Sequence, residues 1–193
     1  MTERSFSLIP FTAPNIPSIS ITGKISLQNN IITLHYLLAG KIEEILLPTK
    51  SMNPTRKDEL WKMTCFEFFL AKEDQPQYWE FNMSPSGDWN VYHMDAYRRI
   101  GFREETSIQR LPFDVQNAVG VFQLNALVDL HPILQPGQSL EFGITAIIQT
   151  TEGNETYWAL SHPASIADFH LRESFTLGLA RQTHLAQQSA LDG

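Results

Sequence analysis

Residues 61–102 read WKMTCFEFFLAKEDQPQYWEFNMSPSGDWNVYHMDAYRRIGF. Three of the four tryptophans and 11 of the 21 aromatic residues fall here, so this stretch is either a ring-rich part of the core or a ringed ligand platform. Phe66, Phe68 and Leu70 alternate with Glu67 and Phe69, and Trp79, Phe81 and Met83 alternate with Glu80 and Asn82. That period of two is the mark of β-strands with unlike faces. Pro85-Ser86-Gly87-Asp88 is a turn signature, so the stretch is expected to be a three-stranded meander.

Strand parity divides the rings from the polar groups. Phe66, Phe68, Leu70, Trp79, Phe81 and Met83 belong on the core face, and across the turn Trp89 and Val91 join them. Glu67, Glu80, Asn82, Asn90 and Tyr92 then share the other face. One register sets Phe66 opposite Phe81 and Phe68 opposite Trp79, with Glu67 directly facing Glu80. A shift of two residues either way makes the glutamates diagonal neighbours. Carboxylates about 5 Å apart across a sheet repel one another, so water, a basic side chain, a cation or ligand hydroxyls should offset them. An ordinary solvated face, a ligand-binding face, and a metal or catalytic pair are all open readings of this pattern.

Outward from the meander the chain reads as further short strands. Residues 18–28 and 31–40 flank Asn29-Asn30 as a hairpin. A short strand is expected over 42–47, a polar loop over 48–58, a strand over 117–124, and one helical turn over 126–130. Strands over 140–150, 156–160 and 174–180 follow, with a hairpin loop at Glu152-Gly153-Asn154. Closely spaced short strands separated by turn signals predict an all-β single domain, a β-sandwich or jelly roll with a little helix. It should span residues 1–181, with a polar tail over 182–193.

Bulk properties narrow the function classes. At 193 residues with 42% hydrophobic and 18% charged content, the chain can bury a full core. A net charge of −7 without a basic run argues against nucleic acid as a partner. Nothing approaches the ~18 apolar residues of a membrane-spanning helix, and the first residues lack a signal-length apolar run, so a cytoplasmic location is expected. Cys65, the single cysteine, excludes an internal disulfide and reads as a small buried hydrophobe.

RKDELWKMTCFEFFLA, YWEFNMSPSGDWNVYHMDAYR and YWALSHPASIADFH together resemble the DOMON-like proteins, which are related in fold to the family 9 carbohydrate-binding modules. The resemblance implies a β-sandwich with a ligand site on or beside a concave sheet face. It implies a carbohydrate ligand, with Glu67, Glu80, Asn82, Asn90 and Tyr92 reading hydroxyls and with Trp61, at a strand start, or Trp158, after a hairpin loop, stacking on the sugar. Charged acceptors and rings suit the polar edges and C–H faces of a sugar. No cofactor is expected, although other DOMON domains bind haem, for which Met83, His93 and Met94 are the candidate ligands. A calcium-like cation on Glu67 and Glu80 is the other cofactor alternative. A glycoside hydrolase using these two glutamates is the enzyme alternative, and a protein-binding scaffold is a third class. His162, Asp168 and His170 have metal-ligand residue types without an evident third ligand, and His170 reads better as a hydrogen-bonded anchor.

Overall fold

The computed structural model of the chain describes residues 2–98, 100–135 and 138–179. The expected tail over 182–193 lies outside the described residues. Twelve strands are present among them: β1 Thr2–Pro10, β2 Ile19–Gln28, β3 Ile31–Gly40, β4 Cys65–Lys72, β5 Tyr78–Met83, β6 Trp89–Met94, β7 Arg103–Glu104, β8 Phe113–Ala118, β9 Val121–Asp129, β10 Leu140–Gln149, β11 Glu155–Ala159 and β12 Leu177–Leu179. They pair antiparallel in the order β7-β6-β5-β4-β10-β11-β1-β2-β3-β9-β8, with β12 also on β10. Strand β1 joins two layers, since Thr2 to Leu8 pair with β2 whereas Ile9 and Pro10 pair with β11. The result is the expected β-sandwich, a curled antiparallel sheet with only short 3-10 turns besides strand. No helix of the described residues is long and apolar enough to cross a membrane.

The core lies between the layers and is built as the alternation dictates. Phe66, Phe68, Leu70, Phe81, Met83 and Val91 are fully buried in it, and Trp79 nearly so. Phe68 stacks on Phe81 at 4.2 Å, and Phe66 meets Phe122 of the opposite layer at 5.3 Å. Such ring pairs add ~1 kcal/mol each beyond the area they bury. The buried Tyr36 hydroxyl crosses the sandwich and donates to the Glu67 carbonyl at 2.6 Å, fixing β4 against β3.

Local departures from expectation have local causes. Asn29 and Asn30 both take positive φ and close the β2–β3 hairpin as expected. The strand expected over 42–47 is instead a 3-10 turn, Ile42–Glu44, followed by one bridge from Ile45 to Thr150. Residues 117–124 are not one strand, because Val119 and Gly120, the latter at φ 72, turn the chain from β8 into β9. The helical turn expected over 126–130 is the end of β9, whose Ala126 and Val128 point into the core.

Candidate functional site

The outer face of the β6-β5-β4-β10 layer carries the polar set. Asn82 pairs with both Glu67 and Asn90, and Thr145 pairs with Glu67. Asn90, Asn82, Glu67 and Thr145 therefore form a polar row across four strands. The adjacent row is Tyr92, Glu80, Phe69 and Gly143. Of the registers left open by the sequence, a diagonal one is present: Glu67 faces Asn82, Glu80 faces Phe69, and the glutamates are diagonal neighbours. The loop explains the shift. Five residues, 73–77, connect the strands, with Gln75 N–H donating to the Lys72 carbonyl and Asp74 at φ 60. A two-residue change in register leaves every face unchanged.

This face is roofed rather than open. The 3-10 turn Leu60–Lys62 sets the half-buried Trp61 edge-on against Tyr92, 5.6 Å between ring centres. Segment 168–175 lays His170 and Phe175 over Phe69 and Tyr78, with Phe169 against Tyr157. A Cβ on Gly143 would come within 2.9 Å of the Phe175 ring, so the close approach of this segment needs glycine there. Beneath the roof, Glu67 is 2% and Glu80 5% exposed, and Asn82 and Asn90 are fully buried.

Few donors reach the buried carboxyls. Asn82 Nδ2 donates to Glu80 Oε1 at 2.8 Å, and Thr145 Oγ1 approaches Glu67 Oε2 at 3.4 Å. Glu67 Oε1 has no hydrogen-bond partner. Burial, then the Glu80 charge, pushes the Glu67 carboxyl well above the ordinary range, against smaller opposing effects of the Cys65 thiol and Thr145. Burial pushes Glu80 up to about 7, opposed by the Asn82 bond. The nearest ring nitrogen, His170 Nε2, is 4.0 Å from Glu80 Oε2. His170 is itself pushed down to about 4 by burial, so the imidazole is neutral here near pH 7.

A second network closes one side of the site. Tyr78 Oη contacts His170 Nδ1 at 2.9 Å and accepts the Arg98 backbone N–H at 3.0 Å. Asp168 receives the Tyr97 hydroxyl, Arg98 Nη2 at 2.7 Å and the His170 N–H at 3.0 Å. Burial works to raise Asp168, but the Tyr97 and Arg98 bonds outweigh it and hold the carboxylate ionised. Arg98 has φ 56, a left-handed backbone uncommon for a non-glycine residue. Tyr97 and Phe102, the latter stacked on Tyr92, leave rings 47% and 44% exposed at the rim. Nothing in the sequence pattern marked Tyr97, Arg98 or Phe102, because they lie in a loop without periodicity.

The candidate residues divide. Glu67, Glu80 and Asn82 come together on this face, with Trp61 against the neighbouring Tyr92. Asn90 and Tyr92 share the face but are engaged elsewhere: Asn90 holds Arg56, the Lys57 carbonyl and Glu104, and Tyr92 donates to Asp58. Trp158 is corrected from a stacking candidate to a core residue, 3% exposed with its indole N–H on Thr156 Oγ1. Its strand pairs it with Ala146, which faces inward.

The candidate haem ligands do not converge. Met94 faces the Tyr78 side and His93 stacks on Trp79 on the other, while Met83 lies four residues along β5 from Trp79, ~13 Å of strand. His162 bonds the Ile9 carbonyl, and Asp168 and His170 bond the partners above. No group of three or more His, Cys, Asp or Glu side chains suited to a metal ion occurs among the described residues.

The chain matches no family model and no curated protein. Among solved structures it is similar to a Bacteroides uniformis protein proposed to bind carbohydrate: TM-score 0.66, 13% identity, over 89% of this chain and 83% of that one. It is also similar to a family 9 carbohydrate-binding module of Caldicellulosiruptor kristjanssonii in complex with cellotriose: TM-score 0.52, 11% identity, over 82% of this chain and 74% of that one. These likenesses show a shared fold.

Proposed function

We propose that the protein is a DOMON-like relative of the family 9 modules and binds a carbohydrate without covalent chemistry. Its site is the roofed polar face around Glu67, Glu80 and Asn82. The observation that carries this reading is the unpartnered Oε1 of Glu67, almost fully buried within a polar row that spans four strands. An unmet buried acceptor costs ~1–3 kcal/mol, and a hydroxyl-bearing ligand would remove that cost. The cellotriose held by the Caldicellulosiruptor module of this fold supports the same class.

Access to the row is supported beneath Trp61. Residues 59–63 make their hydrogen bonds locally: Lys62 N–H to the Glu59 carbonyl, Met63 N–H to the Leu60 carbonyl, and Lys62 Nζ to the Glu59 carboxylate. The flanks are tied to the body, by Asp58 on Tyr92 and by Thr64 Oγ1 on the Leu46 carbonyl at 2.8 Å. Glu59, at φ 58, stands where a short flap would hinge.

Calorimetric titration with mono- and oligosaccharides tests the reading, which fails if none gives heat. Trp61→Ala should weaken whichever sugar binds by about tenfold or more, the loss expected of one stacked ring. Its melting temperature should stay within a few degrees of wild type, because Trp61 lies outside the main core. Equal affinity in wild type and variant would remove Trp61 from the site.

A further inference from the structure

The chemistry around Glu67 and Glu80 is one-sided, and this selects among sugars. Both side chains accept hydrogen bonds, Glu67 Oε1 has no partner among the described residues, and the neutral His170 imidazole stands 4.0 Å from Glu80 Oε2. The amide nitrogen of Asn82 is already spent on Glu80, and its oxygen lies 3.7 Å from the Cys65 thiol.

The neighbouring cations are committed elsewhere. Arg98 is paired with Asp168 at 2.7 Å and Lys57 with Asp88 at 2.7 Å. Arg56 donates to Asn90 and to the carbonyls of Val91, Glu105 and Ile108 while lying over the Trp89 ring. Among the described residues no lysine or arginine forms an ion pair with Glu67 or Glu80. The other titratable groups around the pair are Cys65 beside it on β4, Tyr78 on β5, Tyr92 on β6 and Tyr157 on β11, with Asp58 and Asp168 behind Tyr92 and Tyr78. None of these is a cation.

We propose that the preferred ligand is an amino sugar, its ammonium group seated at the Glu67 and Glu80 carboxyls and its ring against Trp61. The inference rests on the carbohydrate reading above and narrows it to a class. An ammonium brings three donors and a positive charge in a small volume. It can meet the empty acceptor of Glu67 and neutralise the pair at once. Hydrogen bonds between charged partners are roughly twice as strong as neutral ones, so the amine should outbind a hydroxyl at the same position. A uronic acid or sulfated sugar would bring a further negative charge to buried carboxyls that already resist ionisation, and be excluded. Binding should also release protons near pH 6 with the amino sugar, because a seated ammonium favours the ionised carboxyls that burial otherwise disfavours.

Titration of the full chain with glucosamine, glucose, N-acetylglucosamine, glucuronate and ethanolamine tests this. Glucosamine should bind at least about tenfold more tightly than glucose or N-acetylglucosamine, with glucuronate giving no binding. Glu80→Gln, which keeps the acceptor for Asn82, should collapse the glucosamine-to-glucose ratio towards unity. Glucose binding as tightly as glucosamine, or any binding of glucuronate, would overturn the amino-sugar assignment and leave the carbohydrate reading standing. Ethanolamine matching glucosamine would overturn it in favour of a bare ammonium site. Silence from every sugar would defeat the carbohydrate reading and this inference with it. Because the comparison among ligands uses the wild-type chain, it does not depend on any variant folding.

Discussion

Glu80→Gln should stabilise the protein relative to wild type above neutrality and lose that advantage as the pH falls towards about 4. Burial holds the folded Glu80 carboxyl at about 7, whereas an unfolded chain releases that proton near 4.3. Between these values the folded state keeps a proton that the unfolded state has lost. Wild-type stability therefore falls as pH rises through the window, by up to ~1.4 kcal/mol per pH unit and about 3–4 kcal/mol in all. Glutamine does not titrate, so the variant escapes this loss while still accepting the Asn82 bond. The substitution also removes the Glu80 charge, the second cause that holds Glu67 high, which adds to the gain in the same direction.

His170 works the opposite way. Burial keeps the folded ring neutral down to about 4, so the unfolded chain binds a proton near 6.5 that the folded chain refuses. That contribution is present above about 6.5 and is lost as pH falls. In wild type Glu80 and His170 oppose each other between about 4.5 and 6.5, and stability from this pair should be nearly flat there, declining above it. With Glu80 gone, Glu67, which burial still holds high, opposes the His170 slope, so the variant should stay nearly flat over the range in which Glu67 and Glu80 together make the wild type decline. Urea unfolding at about pH 4.5, 5.5, 6.5 and 8 measures both profiles. A variant-minus-wild-type difference that does not change with pH would show that Glu80 is not buried as an acid.

This face is legible in the sequence where it depends on alternation and illegible where it depends on loops. Parity alone put Phe66, Phe68, Phe81 and Val91 in the core and Glu67, Glu80, Asn82, Asn90 and Tyr92 on the other side. A one-residue slip would have inverted every one of these, so the hydrophobic pattern fixes the faces strongly. Register shifts by two leave the pattern intact, and only the geometry of the 73–77 loop decides between facing and diagonal glutamates. The roof was invisible for a related reason. Residues 59–63 and 168–175 have no periodicity, and Phe169, His170 and Phe175 reach the site through irregular backbone. A tryptophan after a hairpin loop looks available in sequence, whereas the pairing of Trp158 with Ala146 turns it inward.

Asn90→Ala should be among the most damaging single changes outside the core, because Asn90 is a junction rather than a hydroxyl reader. Its Oδ1 accepts Arg56 Nη1 at 2.7 Å, and its Nδ2 lies within bonding distance of the Lys57 carbonyl at 3.0 Å, Tyr92 Oη at 3.0 Å and Glu104 Oε1 at 2.9 Å. These bonds reinforce a short parallel bridge in which Lys57 N–H meets the Trp89 carbonyl and Trp89 N–H meets the Thr55 carbonyl. Together they tie residues 55–58, and through them the Trp61 turn, to β6. Alanine removes the acceptor of a half-buried guanidinium and the donor to a backbone carbonyl. Bonds to charged groups are worth ~1.5–3 kcal/mol and an unmet buried group costs ~1–3 kcal/mol, so about 3–5 kcal/mol of stability should be lost. For a chain of this size that lowers the melting temperature by roughly 10 °C without any ligand present. Asn90→Asp keeps the oxygen for Arg56 but sets a second carboxylate against Glu104 and the Lys57 carbonyl. Its deficit should therefore shrink as the pH falls and the new carboxyl protonates. A residue that served only to read a ligand would behave otherwise: Asn90→Ala would melt with wild type and lose only binding, and that outcome in a thermal scan of the free protein would return Asn90 to the site.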